Sequence, residues 1–218
     1  MLLVKQAVGP FEMNCYFVGC ERTRHAFVVD PGEEIDRLLA SAKKDKLVLT
    51  RLLCTHAHID HIGAAAEMKK KTGLELSLHK EDLFWVDLLP DQGRMFGFPP
   101  YEKPAIEHYL EDAEEFDLDD LHVKVLHCPG HTPGGCAFLV KDRAAEGPMH
   151  LFSGDVLFAG SIGRTDFPRG DFDTIVKSIR SKLFTLPDDT IVHPGHGPDT
   201  TIRDERLHNP FVGERAGR

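Results

Sequence analysis

No apolar run approaches the ~18 residues of a membrane-spanning helix, so none is expected. The N-terminal stretch MLLVKQAVGPFEMNCYF has an early apolar patch but neither a basic n-region nor a long apolar h-region, so no secretory signal is expected. Cysteine is sparse: Cys15, Cys20, Cys54, Cys128 and Cys136 are odd in number and no two have CxxC spacing. That disfavours a disulfide framework and points to a reducing, cytoplasmic setting in which each thiol serves as a small buried hydrophobe. Basic residues are never pooled into a long tract. Lys69-Lys70-Lys71 is the only tight cluster, expected on the wet face of a helix. With a net charge of −9, the chain carries no electrostatic footprint for nucleic acid. Internal repeats and low-complexity segments are also lacking.

What is present is an ordinary globular composition over 218 residues, enough for one sizeable domain spanning 1–218. Short apolar runs bounded by turn residues predict strands over Leu2–Val8, Asn14–Cys20, Arg24–Asp30, Val48–Cys54, Leu74–Leu78, Leu121–His127, Cys136–Val140, Met149–Ser153 and Thr190–His193. Helical spacing marks Glu33–Lys44, with Ile35, Leu38, Leu39 and Ala42 on one face, and Gly63–Thr72, stopped by Gly73. A third helix should start at the N-cap Asp171, carry Ile175, Ile179 and Leu183, and end before Pro187. Strands and helices alternate in both halves, which predicts the α/β class. The stretch from Leu89 to Glu107, with Pro90, Pro99, Pro100 and Pro104, reads as irregular chain tacked down by aromatics or serving as a pocket wall.

Against this background THAHIDH, Thr55 to His61, stands out. Just beyond a strand, His56 and His58 project to one side and can share a cation. Asp60 and His61 are neighbours at the first turn of a helix, about 100° apart, and suit a second ion. Later loops, each just past a predicted strand, supply His131 in HCPGHTPGG, Asp155 in LFSGDVLF and His196 in VHPGHGPD. The expected inventory is His56, His58 and His131 for one ion, Asp60, His61 and His196 for the other, and Asp155 bridging. Nitrogen and oxygen donors without thiolate suit zinc, with iron or manganese as further options. His127 and His193 are expected to support these loops from strand ends. His25, His79, His108, His122, His150 and His208 have no company in the sequence and are not expected to be ligands.

THAHIDH fits the H-x-H-x-D-H signature, and GHTPG, SGDVLF and PGHG follow in order. On these motifs the chain resembles the metallo-β-lactamase superfamily over nearly its whole length, which implies an αββα sandwich with a metal site at one edge. GRMFGF, LHCPGHTPGG, GRTDFPRGD and ERLHNPF make it similar to short bacterial glyoxalase II proteins, the hydroxyacylglutathione hydrolases. The last three stretches also resemble persulfide dioxygenases. That second resemblance implies one Fe(II) held by His56, His131 and Asp155, a triad with open positions.

The leading expectation is therefore hydrolysis of a small thioester, S-D-lactoylglutathione or a related acyl-glutathione, by attack of a metal-bound hydroxide between two divalent cations. Asp60 is the expected catalytic group, ligating one ion and orienting the nucleophile. The alternative is oxidation of glutathione persulfide at a single iron. Every ligand position is filled, which counts against a non-catalytic metal module. β-Lactam hydrolysis is disfavoured by the lack of an export signal. In the loop Gly160–Asp171, Arg164 is a candidate for holding a substrate carboxylate and Phe167 for packing on the thiol arm, unless they serve internally, Arg164 by pairing with Asp166 and Phe167 by filling the core. Arg94, Phe96, Arg206 and Asn209 are further candidates. Longer glyoxalase II proteins add a C-terminal helical domain that offers basic residues to glutathione. This sequence ends soon after PGHG, so that contribution is expected to be missing. The segment ERLHNPFVGERAGR should pack on its own chain or on a neighbouring one.

Overall fold

The computed structural model describes residues 1–98, 100–214 and 216. Pro99 of the proline-rich stretch and residues 215, 217 and 218 of the C-terminal segment lie outside the described residues. Strands β1 (Leu2–Val8), β2 (Met13–Gly19) and β3 (His25–Val29) form an antiparallel meander. β4 (Val48–Leu53), β5 (Leu76–His79) and β6 (His108–Leu110) then add in parallel, giving a six-stranded sheet in chain order. Parallel neighbours need crossovers. Helix α1 (Ile35–Lys44) joins β3 to β4, α2 (Ile59–Ile62) and α3 (Ala65–Thr72) join β4 to β5, and α4 (Leu83–Met95) precedes β6.

The second sheet is built from β7 (Glu115–Leu118), β8 (Leu121–His127), β9 (Cys136–Asp142) and β10 (His150–Gly154). A small hairpin, β11 (Leu157–Phe158) and β12 (Ser161–Ile162), leads to α5 (Phe172–Ser178), which continues in a π-helical turn over Ile179–Leu183. The chain closes with β13 (Ile191–Pro194), β14 (Thr200–Thr201) and α6 (Ile202–His208). The order is β14-β13-β10-β9-β8-β7, with β10 and β13 its parallel pair.

Strand alternation sorts side chains into three apolar layers. In β2, Cys15 and Phe17 pack with Leu38, Met68 and Trp85 on the helical side. Tyr16 and Val18 face the other way, meeting Phe138 and Phe152 between the sheets. Beyond the second sheet, Leu151 and Val192 pack with Ile175, Ile179 and Ile202. The layers are helix, sheet, sheet, helix, the αββα sandwich expected. All five cysteines are free and buried. The three lysines of α3 pair with Glu107, Glu102 and Asp36 at the surface. No described helix is long and apolar enough to cross a membrane.

Two expectations need correction. The helix expected over 63–72 begins earlier, as α2, and breaks where the Ala64 N–H turns to the Gly32 carbonyl (2.9 Å). The stretch expected to be irregular from Leu89 is helical to Met95. Pro90 forfeits one intrahelical bond, but Trp85, Val86 and Leu89 are buried and hold the turn. Of the two placements expected for ERLHNPFVGERAGR, its described residues take the one on their own chain: α6 is capped by Thr201, and Glu205, Asn209 and Val212 are buried.

Candidate metal centre

Four loops leave the same edge of the sandwich, after β4, β8, β10 and β13. They bring together all seven side chains expected as ligands. Three groups have donor atoms within 4.8 Å of one another: His56, His58 and His131; His56, His61 and Asp155; Asp60, His61 and His196. Two donors at 2.0–2.1 Å from one tetrahedral ion stand roughly 3.3 Å apart. His56 Nε2 and His58 Nδ1 are 3.1 Å apart, and His196 Nε2 and Asp60 Oδ2 are 3.1 Å apart. Asp155 stands between the groups, with Oδ1 3.3 Å from His61 Nε2 and Oδ2 3.6 Å from His131 Nε2. His58 Nε2, His61 Nε2, His131 Nε2 and Asp155 Oδ1 are among the buried polar atoms left without a hydrogen-bond partner in the described residues. Such atoms are costly unless something else satisfies them. The spacing, the donor types and the orphaned atoms fit one or two divalent cations.

The backbone makes room for this cluster. A Cβ on Gly195 would come within 2.3 Å of Asp155 Oδ1 and 2.6 Å of the His61 ring, so only glycine lets the PGHG turn pass behind both. Asn14 fastens that turn, its Nδ2 donating to the carbonyls of Pro194 and Gly197 at 3.0 Å each.

Four imidazoles are anchored through Nδ1, which leaves Nε2 for the centre. The partners are Thr55 Oγ1 for His56 (3.0 Å), Asp30 Oδ2 for His61 (2.9 Å), the Arg164 carbonyl for His131 (2.7 Å) and the Phe11 carbonyl for His196 (3.1 Å). Anchors of this kind fix tautomer and ring orientation. Sequence reasoning missed them, along with Asp82. The Asp82 carboxylate accepts from Ala57 N (3.0 Å) and Thr132 Oγ1 (2.9 Å) through Oδ2 and from Gly134 N (2.6 Å) through Oδ1. It thereby ties the THAHIDH loop to the GHTPGG loop. Burial pushes its carboxyl up to about 6, against the pull of the three donors.

Burial also holds His56, His58 and His131 below the usual imidazole range, helped at His56 by the neighbouring imidazoles. The neutral ring that results is the ligating form. At His61 burial pulls down, but the carboxylates of Asp155, Asp60 and Asp30 together lift it well above that range. Burial pushes Asp155 up, yet His61, His131 and His196 hold it below the ordinary carboxylate range.

The cluster opens into a cavity of about 640 Å³. Trp85 and Phe167 stand edge-on to His58, at 4.6 and 5.3 Å between ring centroids. Arg164 lines the cavity too, but its guanidinium is held by both oxygens of Asp166 (2.7 and 2.6 Å) and lies over the Phe167 ring. Phe96 also lines it. Arg94 pairs with Asp91 (3.2 Å). Arg206 is bound to Asp188, and Asn209 donates to the Ser161 carbonyl (3.0 Å), so both serve the C-terminal packing. Two histidines without company in the sequence gain it in the fold. His79 stacks on His127 (4.0 Å between centroids) and His150 bonds His193 (2.9 Å).

The Metallo-beta-lactamase superfamily model matches residues 8–196. The hydroxyacylglutathione hydrolase GloC of Haemophilus influenzae is 39% identical over 211 residues, covering 96% of this chain and 97% of its own. Among solved structures, the BLEG-1 B3 metallo-β-lactamase superposes with a TM-score of 0.87 at 35% identity, over 97% of this chain and 99% of that one. TTHA1623 in a di-iron-bound form superposes with a TM-score of 0.82 at 37% identity, over 97% of this chain and 100% of that one. Because the family match covers most of both sheets and all seven clustered side chains, this chain belongs to the metallo-β-lactamase superfamily and is an enzyme related to its GloC-type hydrolases.

Proposed function

We propose that the protein is a metal-dependent thioester hydrolase acting on S-D-lactoylglutathione or a related acyl-glutathione. The observation that carries the reading is that the buried Nε2 atoms of His61 and His131, both without a hydrogen-bond partner among the described residues, flank the two oxygens of Asp155 at the sheet edge. The identity to a hydroxyacylglutathione hydrolase supports the substrate class. In this reading His56, His58 and His131 hold one divalent cation, Asp60, His61 and His196 hold a second, and Asp155 is shared. Zinc suits the donors, as do iron and manganese. The whole chain, 1–218, acts as a single domain, and its five free, buried cysteines support a cytoplasmic placement.

Two cations held by these residues would supply Lewis acidity and lower the pKa of a water. The chain's own residues do the rest. Thr55, Asp30 and the carbonyls of Arg164 and Phe11 keep four imidazoles aimed inward. Asp60, whose Oδ2 lies 3.1 Å from His196 Nε2, would orient the attacking water from its place in the ligand set. Trp85 and Phe167 exclude bulk water beside His58. The leaving thiolate, whose thiol has a pKa of about 8.5, departs without a general acid. That agrees with a pocket in which Arg164, the one arginine or lysine among its described lining residues, is already paired.

The test is metal analysis of natively purified protein, with thiol release from S-D-lactoylglutathione and oxygen uptake measured together. Two metals per chain and stoichiometric thiol release are expected. One iron per chain with oxygen consumption dependent on glutathione persulfide would overturn the reading in favour of a dioxygenase using His56, His131 and Asp155.

A further inference from the structure

We propose that this site, read as a thioester hydrolase, selects thioesters whose acyl arm is large and apolar rather than a small hydroxyacyl group. The inference rests on that reading and concerns what fills the cavity beside the metal cluster. Phe11, Leu88, Met95, Phe96, Phe158 and Ile162 line it. Phe11, from the β1–β2 turn, meets Phe96 at the end of α4 edge-on at 5.3 Å, so two of the lining rings form one continuous aromatic wall. The cavity volume of about 640 Å³ lies within the range that encloses a drug-sized ligand. A lactoyl group would leave most of these walls uncovered.

The charges decide which arm enters. Asp60 and Asp155 belong to the metal set, so away from the cluster the charges of the described lining are Asp91, which is paired with Arg94, and one guanidinium, Arg164. Asp166 already takes that guanidinium through two hydrogen bonds. Away from the metal set, a carrier thiol bearing its own carboxylates would have to bury them against apolar walls with no unpaired cation among the described lining residues, which is costly. It therefore stays at the solvent mouth, and the uncharged acyl arm goes inward. A hydroxyl on that arm gains little, because the lining amide of Gln92 is committed to Ile59 N, Ala57 O and Trp85 O.

The experiment has two readouts. The first is kcat/KM of the metal-loaded enzyme on acetyl-, butyryl-, hexanoyl- and octanoyl-glutathione beside S-D-lactoylglutathione. The second is calorimetric binding of the non-hydrolysable thioethers S-methyl- and S-octylglutathione. Apolar burial predicts a three- to fourfold gain per added methylene until the walls are covered. Octanoyl should therefore exceed acetyl at least about tenfold and also exceed lactoyl, and S-octyl should bind at least about tenfold tighter than S-methyl. Met95 and Phe96 are 78% and 42% exposed, so Met95→Asp and Phe96→Asp should fold. Each should lower the octyl-to-methyl binding ratio at least about threefold. Thioesters hydrolysed with no gain along the series, equal binding of the two thioethers, or unchanged ratios in both variants would overturn the proposal while leaving the hydrolase reading standing. A binding preference for S-octyl with no thioester hydrolysed would uphold the apolar pocket and sink the hydrolase reading instead.

Discussion

Asp30 Oδ2 lies 2.9 Å from His61 Nδ1, with both side chains buried. The same carboxylate accepts from Thr55 N (2.7 Å) and Thr55 Oγ1 (2.7 Å), and Thr55 Oγ1 in turn meets His56 Nδ1 (3.0 Å). One carboxylate at the end of β3 therefore orients an imidazole from each expected ion site. Asp30→Asn keeps the shape but turns one oxygen into a donor facing donors. Metal affinity should fall about 10- to 100-fold, seen as lost metal after dialysis against a weak chelator. Stability should fall by about 1–3 kcal/mol for the unpaired groups. Unchanged metal retention would show that His61 holds its orientation without Asp30.

Asp82 plays a different part, since it touches no ligand side chain. It joins the loop of His56 and His58 to the loop of His131 through Ala57, Thr132 and Gly134. Asp82→Ala should leave these donors unpaired and cost about 2–4 kcal/mol in urea unfolding. Metal loss should fall mainly on the site of His56, His58 and His131, with the site of Asp60, His61 and His196 better retained. Metal titration of the variant, giving two affinities, checks this, and equal loss at both sites would refute it.

The contrast between these two aspartates and the ligands they support explains what was legible beforehand. His56, His58, Asp60 and His61 sit within six residues, and His131, Asp155 and His196 each follow an apolar run, so local pattern exposed them. β1 and β8 were placed to the residue because alternation and flanking turns agree there. Asp30 and Asp82 are single acids whose partners lie up to 31 and 52 residues away, a relationship that only the fold creates. The same holds for the His150 and His193 pair, brought together across neighbouring strands. Helix α4 was hidden by Pro90, whose local rule lost to burial of Trp85 and Leu89. Helix α6 offers only Ile202 and Glu205 to the interior, too short a pattern for periodicity to register.

His150 gives a pH prediction remote from the metal cluster. Burial, then the neighbouring His193, pushes its imidazole down to about 4. An unfolded histidine titrates near about 6.5. Between those values the unfolded chain binds the extra proton and the folded chain does not. The group's contribution to stability is therefore present above about pH 6.5 and is lost as pH falls towards about 4. Urea midpoints of the chelated protein should drop across this window, and His150→Phe, which keeps a flat ring against His193, should drop less. A native-state imidazole shift for His150 titrating near 6.5 by NMR would contradict the assignment.

Metal removal should reveal how much of the edge is held by cations. With free metal at about a thousand times the dissociation constant, linkage contributes about 4 kcal/mol to the folded state for each ion bound. For a chain of this size that corresponds to a rise in Tm on the order of 10 °C. Stripping with a chelator should lower Tm by about that amount for each ion removed, and zinc or iron should restore it. Asp60→Asn separates the two expected ions. Its Oδ2 is 3.1 Å from His196 Nε2 and 3.8 Å from His61 Nε2, so the change weakens that group alone. The variant should retain one metal per chain, keep part of the metal-dependent gain in Tm, and lose at least about a hundredfold in thioester turnover. Two tightly held metals in Asp60→Asn would remove Asp60 from the ligand set. One metal with undiminished turnover would mean that the second ion is not needed for the reaction.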